Sequence, residues 1–170
     1  MPMMIKGTIL AAFLVLIWGC GSSGANEGTT GATTDESGAQ IYAQITETDP
    51  YTEWEQFSEA IGTIESSAPH GPFARVYIND IAAAALDSSP ENLPNGSIIV
   101  KDSIDTADAQ DMGTLTIMKK IEGFRPRTND WFWVMVSSNG EVQGEGNIGM
   151  CISCHLSQAN NDYIFLHQLQ

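Results

Sequence analysis

Cations are scarce in this chain, cysteines are scarcer, and no apolar run is long enough to span a bilayer. Only seven of 170 residues are Lys or Arg, against 21 Asp or Glu, a formal net charge of -14. Such a surface disfavours nucleic acid and anionic membrane faces. It suits a small or cationic ligand, or a basic electron-transfer partner, although a solvated acidic coat accounts for the same charge. The apolar run of residues 8–18 is too short for a transmembrane helix. The length gives room for one domain with a real core, and not comfortably for two.

What the short run does fit is a leader. Lys6 precedes it and Gly19-Cys20 closes it, the layout of a signal sequence with a basic start and an apolar middle. Ile17-Trp18-Gly19-Cys20 resembles the bacterial lipobox, with Trp18 bulkier than the small residue usual there. The expectation is a lipoprotein signal peptide over 1–19, cleavage before Cys20 and a lipid on that thiol; an ordinary signal peptide with Cys20 as a spare thiol is the alternative. The protein would then sit in the bacterial periplasm, held to the membrane, the outer one, by lipid alone. Lys6 is the only charge removed with the leader, which leaves six cations against 21 acids. Residues 20–40 follow as a tether, because beyond Cys20 they hold no apolar side chain larger than alanine and so bury too little to fold. The folded domain is expected over 41–170.

Near the other end stands Cys151-Ile152-Ser153-Cys154-His155. Two thiols two residues apart, followed by histidine, have the spacing of a haem c attachment site. The thiols add to the two vinyl groups of one haem and the histidine binds the iron. A zinc site would need a second Cys/His pair, and only His70, His167 and Cys20 remain. A redox C-x-x-C pair belongs between an early strand and a helix, not this late. One cysteine for lipid and two for haem leave no pair for a structural disulfide.

Between these ends the periodicity changes. Asp49-Pro50 reads as a helix start, and Trp54, Phe57, Ile61 and Ile64 recur at helical spacing, which predicts an amphipathic helix over 51–66. From Pro69 the period is two. Strands are expected at 73–79, 97–103, 115–121, 130–136 and 141–148, with a short alanine-rich helix over 79–86. Asn95-Gly96 marks a turn, and Asn139-Gly140 a tight hairpin between the last two strands. This is an α+β fold built on an antiparallel sheet. It is neither the usual helical cytochrome, where an axial Met follows the motif, nor a four-helix bundle.

Several of these segments resemble the cytochrome P460 family. The stretch from His70 to Asn79 (HGPFARVYIN) is similar to its opening motif and that from Leu93 to Asp102 (LPNGSIIVKD) to its second. Asn129-Asp130-Trp131-Phe132-Trp133, the C-x-x-C-H and Asn161-Asp162-Tyr163-Ile164-Phe165 complete the match over about residues 69–166. The resemblance implies a periplasmic haem c protein with a large antiparallel sheet, commonly a homodimer. The family includes hydroxylamine-oxidising enzymes in which a lysine is bonded to the porphyrin edge. It also includes the cytochromes c′-β, which lack that bond and bind nitric oxide or carbon monoxide.

The lysine at the matching position is Lys101. Strand alternation places it with Ser97 and Ile99, opposite Ile98 and Val100, and its role implied by the resemblance is to bond to, or lie beside, the haem. The plainer reading is a solvent-facing lysine on an edge strand. Arg75, on a face shared with Tyr77, matches the arginine of the first motif and would hydrogen-bond a bound nitrogen oxide or a propionate. An ordinary ion pair is the alternative. Phe73 and the Trp131, Phe132, Trp133 cluster offer aromatic walls. Oxidation of hydroxylamine also needs a proton acceptor; Glu145 is the first candidate, ahead of Glu141 and Asp130. A soluble c-type cytochrome would take the electrons. With no methionine after His155 the iron is expected to be five-coordinate. A third reading, an electron carrier, makes His70 its sixth ligand.

Overall fold

The computed structural model describes residues 34–88 and 90–169; the expected leader, Cys20 and most of the expected tether lie outside the described residues. Among those described, no helix is long and apolar enough to cross a membrane. Packed structure begins a few residues before Ile41. Ser37 accepts from the Gln40 amide while the Gln40 side chain accepts from the Ser37 amide, a reciprocal cap that starts α1 at Gly38–Ala43. The helix widens into a π-turn at Gln44–Thr48, and together they bury Ile41 and Ile45 completely.

The helix expected over 51–66 does not form. In its place are single 3-10 turns at Tyr51–Glu53 and Ser58–Ala60 and two short strands, β1 at Glu55–Gln56 and β2 at Ile64–Glu65. The reason is that the apolar residues serve different layers. Trp54 packs into the cluster on one face of the sheet and Phe57 into the cluster on the other. Residues three apart share a face on a helix but take opposite faces in extended chain, so the spacing that looked helical fits an edge strand. Ile61, counted on that face, is 74% exposed.

The later elements follow the expected order through the last strand, with ends within one or two residues, and a further helix that was not expected comes after it. They are β3 (Phe73–Ile78), α2 (Asp80–Leu86), β4 (Ile98–Ile104), β5 (Thr114–Lys120), β6 (Trp131–Val136), β7 (Val142–Gly146) and α3 (Gly149–His155). Asn79 caps α2 by accepting from Ala82, and the same oxygen accepts from the Ile98 amide, which ties the helix start to β4. Strands β3 to β7 pair in sequence, each antiparallel to the next, with β1 and β2 on the outer edge of β3. The seven-stranded sheet and short helices make the α+β architecture expected.

Register then sorts the side chains into two layers. On one face lies a row from Tyr77 through Val100, Ile117 and Val134 to Glu145, beside a row from Arg75 through Asp102, Leu115 and Val136. The α1 segment covers this face with Ile41 and Ile45. On the other lies a row from Val76 through Lys101 and Thr116 to Met135, beside one from Ile78 through Ile99 and Met118 to Trp133. The C-terminal segment folds over that face. Both faces are apolar and both are covered.

Candidate haem site

The C-terminal cover leaves a cavity of about 540 Å³ against the second face. Its sheet wall is made by Val76, Ile99, Lys101, Thr116, Met118, Trp133 and Met135, its far wall by Cys151, Cys154 and His155 of α3. Spacings of three and four put those three residues on one side of the helix. Both thiols are free, Cys154 exposed and Cys151 half-buried, and burial pushes the Cys151 thiol up.

His155 is fixed from three directions. Its Nδ1 lies 2.7 Å from the Tyr163 carbonyl oxygen, so Nδ1–H donates there and Nε2 keeps its lone pair. Trp133 packs edge-on at 4.7 Å between ring centroids and Phe165 at 5.0 Å. Burial is the largest cause of its lowered pKa, with Lys101 adding to it against the Tyr163 hydrogen bond. The Tyr163 carbonyl is itself placed by unusual backbone. Asp162 and Tyr163 both have positive φ, 50° and 64°, a conformation costing about 1–3 kcal/mol for a residue other than glycine. What holds it is Asp162. Its buried carboxylate accepts from Lys120 at 2.5 and 2.7 Å, from the Leu93 amide at 2.8 Å and from Trp131 and Asn129 at 3.1 Å.

Lys101 and His70 face the motif from the sheet side. The Lys101 side chain is desolvated, and its pKa is lowered for that reason. His70 comes from the turn before β3, with its Nδ1 at 3.3 Å from Thr116 Oγ1. Burial, then Lys101 and His155, lower its pKa to about 4, which keeps it neutral near pH 7.

Two polar atoms in the cavity wall, Ser103 Oγ and Trp133 Nε1, are buried with no hydrogen-bond partner among the described residues. Orphans of that kind each cost about 1–3 kcal/mol unless something else satisfies them. A large apolar group with a few acceptor oxygens, filling a cavity beside two thiols and a free imidazole nitrogen, is what these residues fit. A haem has that character.

Other candidates lie elsewhere. Arg75 points to the opposite face and pairs with Asp102 at 3.0 Å, donating also to the Asp111 carbonyl at 3.2 Å. It pairs across strands with Asp102, whereas its neighbour Val76 pairs with Lys101, so the two motif residues Arg75 and Lys101 cannot share a face. Glu145 is on that far face too, opposite Val134, where it accepts from the Gly38 amide at 2.7 Å. Asp130 accepts from the Gly123 and Arg125 amides and shapes a turn. Glu141 lies by the last hairpin, outside the cavity. Of the expected aromatic walls Trp133 lines the cavity, Phe132 faces the other way and Trp131 packs beside Asp162. Among the described residues the acid that lines the cavity is Asp105, an exposed side chain beside Ser103 and Thr114. Nothing in the local sequence marked it, since its position depends on where β4 ends.

The family model described as Cytochrome P460 matches residues 48–166, from before β1 to beyond the C-x-x-C-H. A comparison with curated proteins finds no match.

Proposed function

Since this chain belongs to the cytochrome P460 family, whose members are haem cytochromes, we propose that it is a mono-haem c protein that oxidises hydroxylamine or a related small nitrogen compound. The observation that carries the reading is the cavity itself. A desolvated lysine, a neutral histidine and an iron-binding imidazole line one space beside two thiols. A site for electron transfer alone would not need a half-buried lysine amine facing the cavity, which is costly as a cation unless it is deprotonated, paired or bonded.

Each residue has a task. Cys151 and Cys154 would hold the haem through thioethers, and His155 would bind its iron through Nε2. Lys101, which lines the same cavity, would lie beside the bound haem. When bound, the haem supplies a site for the substrate nitrogen and a path for electrons. Oxidation of hydroxylamine to nitric oxide removes three electrons and three protons. The electrons go to a soluble c-type cytochrome or similar acceptor, a basic one given the acidic surface. Asp105 is the acid placed to take protons, because it adjoins the cavity and meets solvent.

The test is turnover. The haem-loaded chain, given hydroxylamine without oxygen, should reduce a soluble basic cytochrome c and release nitric oxide. Reversible binding of nitric oxide with no reduction of the acceptor would overturn the enzymatic reading in favour of a gas-binding protein of the c′-β kind.

Location follows from the other end. We propose that the protein is periplasmic and lipid-anchored through Cys20, and acts as a homodimer. Cys20→Ser should release a soluble domain that still carries haem, because attachment lies in the lipid and not the fold. Fractionation of cells decides this: a variant that stays with the membrane would remove Cys20 as the anchor.

A further inference from the structure

His70 and His155 face each other within one cavity, their ring centroids 6.5 Å apart and their planes at 88°. Each has Nδ1 engaged, with Thr116 Oγ1 at 3.3 Å and the Tyr163 carbonyl at 2.7 Å. Each therefore keeps Nε2 for something else.

Two imidazoles bound through Nε2 on opposite sides of one iron stand roughly 6 Å apart between centroids, given metal–nitrogen bonds of about 2 Å. Had the space between held a bound small molecule with His70 merely hydrogen-bonding to it at about 2.8 Å, the rings would stand roughly 9 Å apart. The observed separation fits direct ligation and is too short for an intervening ligand. Perpendicular ring planes are no obstacle, because each imidazole rotates about its own iron–nitrogen bond.

We infer that His70 is a second, displaceable axial ligand, so that the resting iron is six-coordinate and any substrate or gas must first push His70 away. This rests on the haem reading of the cavity and not on catalysis. It reverses the five-coordinate iron expected from the lack of a late methionine.

The turn that carries His70 makes displacement feasible. It belongs to no strand, and among the described backbone hydrogen bonds it is closed by two, Ser66 to Pro72 at 2.8 Å and His70 to Ser67 at 2.9 Å. The hydrogen bond at Thr116 is long. His155, by contrast, is held by a short bond and two aromatic rings. One ligand is fixed and the other hangs on a loop, which biases exchange to the His70 side.

The experiment is spectroscopic and uses the full chain matured with haem. Wild-type ferric protein should be low-spin, with the near-infrared charge-transfer band of two histidines. His70→Ala should convert it to high-spin, and His70→Met should stay low-spin but shift that band to the histidine–methionine position. Cyanide should bind ferric His70→Ala at least tenfold more tightly, because a ligand that fills the site most of the time leaves a small competent fraction.

A high-spin wild-type spectrum overturns the inference, and so does a low-spin spectrum unchanged in both variants, which would assign the sixth position to Lys101 or a methionine. If His70→Ala fails to fold, the near-infrared band of the wild type alone decides. A chain that matures without covalent haem would sink the reading of the whole site, an outcome distinct from high-spin haem.

Discussion

Asp162→Asn should destabilise the domain by about 3–5 kcal/mol, the cost of leaving a buried cation without its partner. For a domain of this size that lowers the melting temperature by roughly 10 °C or more. The carboxylate is fully buried, and Lys120 above it is only 6% exposed. Burial already lowers the Lys120 pKa, with Asp162 acting against it. The ammonium also lies 5.0 Å from the Trp131 ring centroid, which cannot replace a full charge. The amide oxygen of asparagine would retain one acceptor for the Leu93 amide but no charge for Lys120.

Two measurements show that the charge is the cause. Adding Lys120→Met to Asp162→Asn should recover most of the loss, because a pair exchanged for uncharged groups is often neutral while a broken pair is not. The single variant should also load haem with His155 less well fixed, since Asp162 holds the backbone that aims the Tyr163 carbonyl at Nδ1. A single variant melting within about 2 °C of the parent would show that the pair contributes little and that the positive-φ turn stands by itself.

What the sequence revealed and what it hid divide along one physical line. The C-x-x-C-H and the period-two strands depend on neighbours within a few residues, and both could be read directly. Lys101 was correctly grouped with Ile99, because alternation within one strand is a local property. Which face of β3 joins which face of β4 is not local. A shift of one residue in register exchanges the whole set, so the resemblance that sets Arg75 towards the haem carries no weight against the pairing of Val76 with Lys101, which turns it to an ion pair with Asp102. Glu145 is placed on the far face for the same reason, three strands beyond β4. The lost helix at 51–66 shows a different limit. A spacing of three serves one helical face or two opposite strand faces, and only the presence of two separate cores decides between them. His70 was recognised as a possible ligand, but its approach to His155 comes from folding the C-terminal segment back across the sheet. No spacing in the chain encodes that distance.

Lys101→Ala should abolish hydroxylamine oxidation, by roughly a hundredfold or more in turnover, while leaving both thioethers intact. Lys101 sits in the row between Val76 and Thr116 and faces the cavity. Desolvation lowers its pKa, which favours the neutral amine, the nucleophilic form. Bonding it to a porphyrin edge carbon replaces one C–H and one N–H by a C–N bond. Two electrons and two protons leave, and an oxidant of the peroxide class takes them up as water. Intact mass would therefore barely change, but proteolysis of the wild type should yield a haem peptide with two chain segments, one around Lys101 and one around Cys151 and Cys154. The reduced wild type should show the red-shifted Soret band after which the family is named, and the variant that of an ordinary haem c. Haem attachment survives in the variant because it depends on α3 and on His155, which Lys101 does not hold in place. A wild type with an ordinary haem c spectrum and a single-segment haem peptide would remove the cross-link, and with it the strongest reason to place oxidation ahead of reversible binding of nitric oxide.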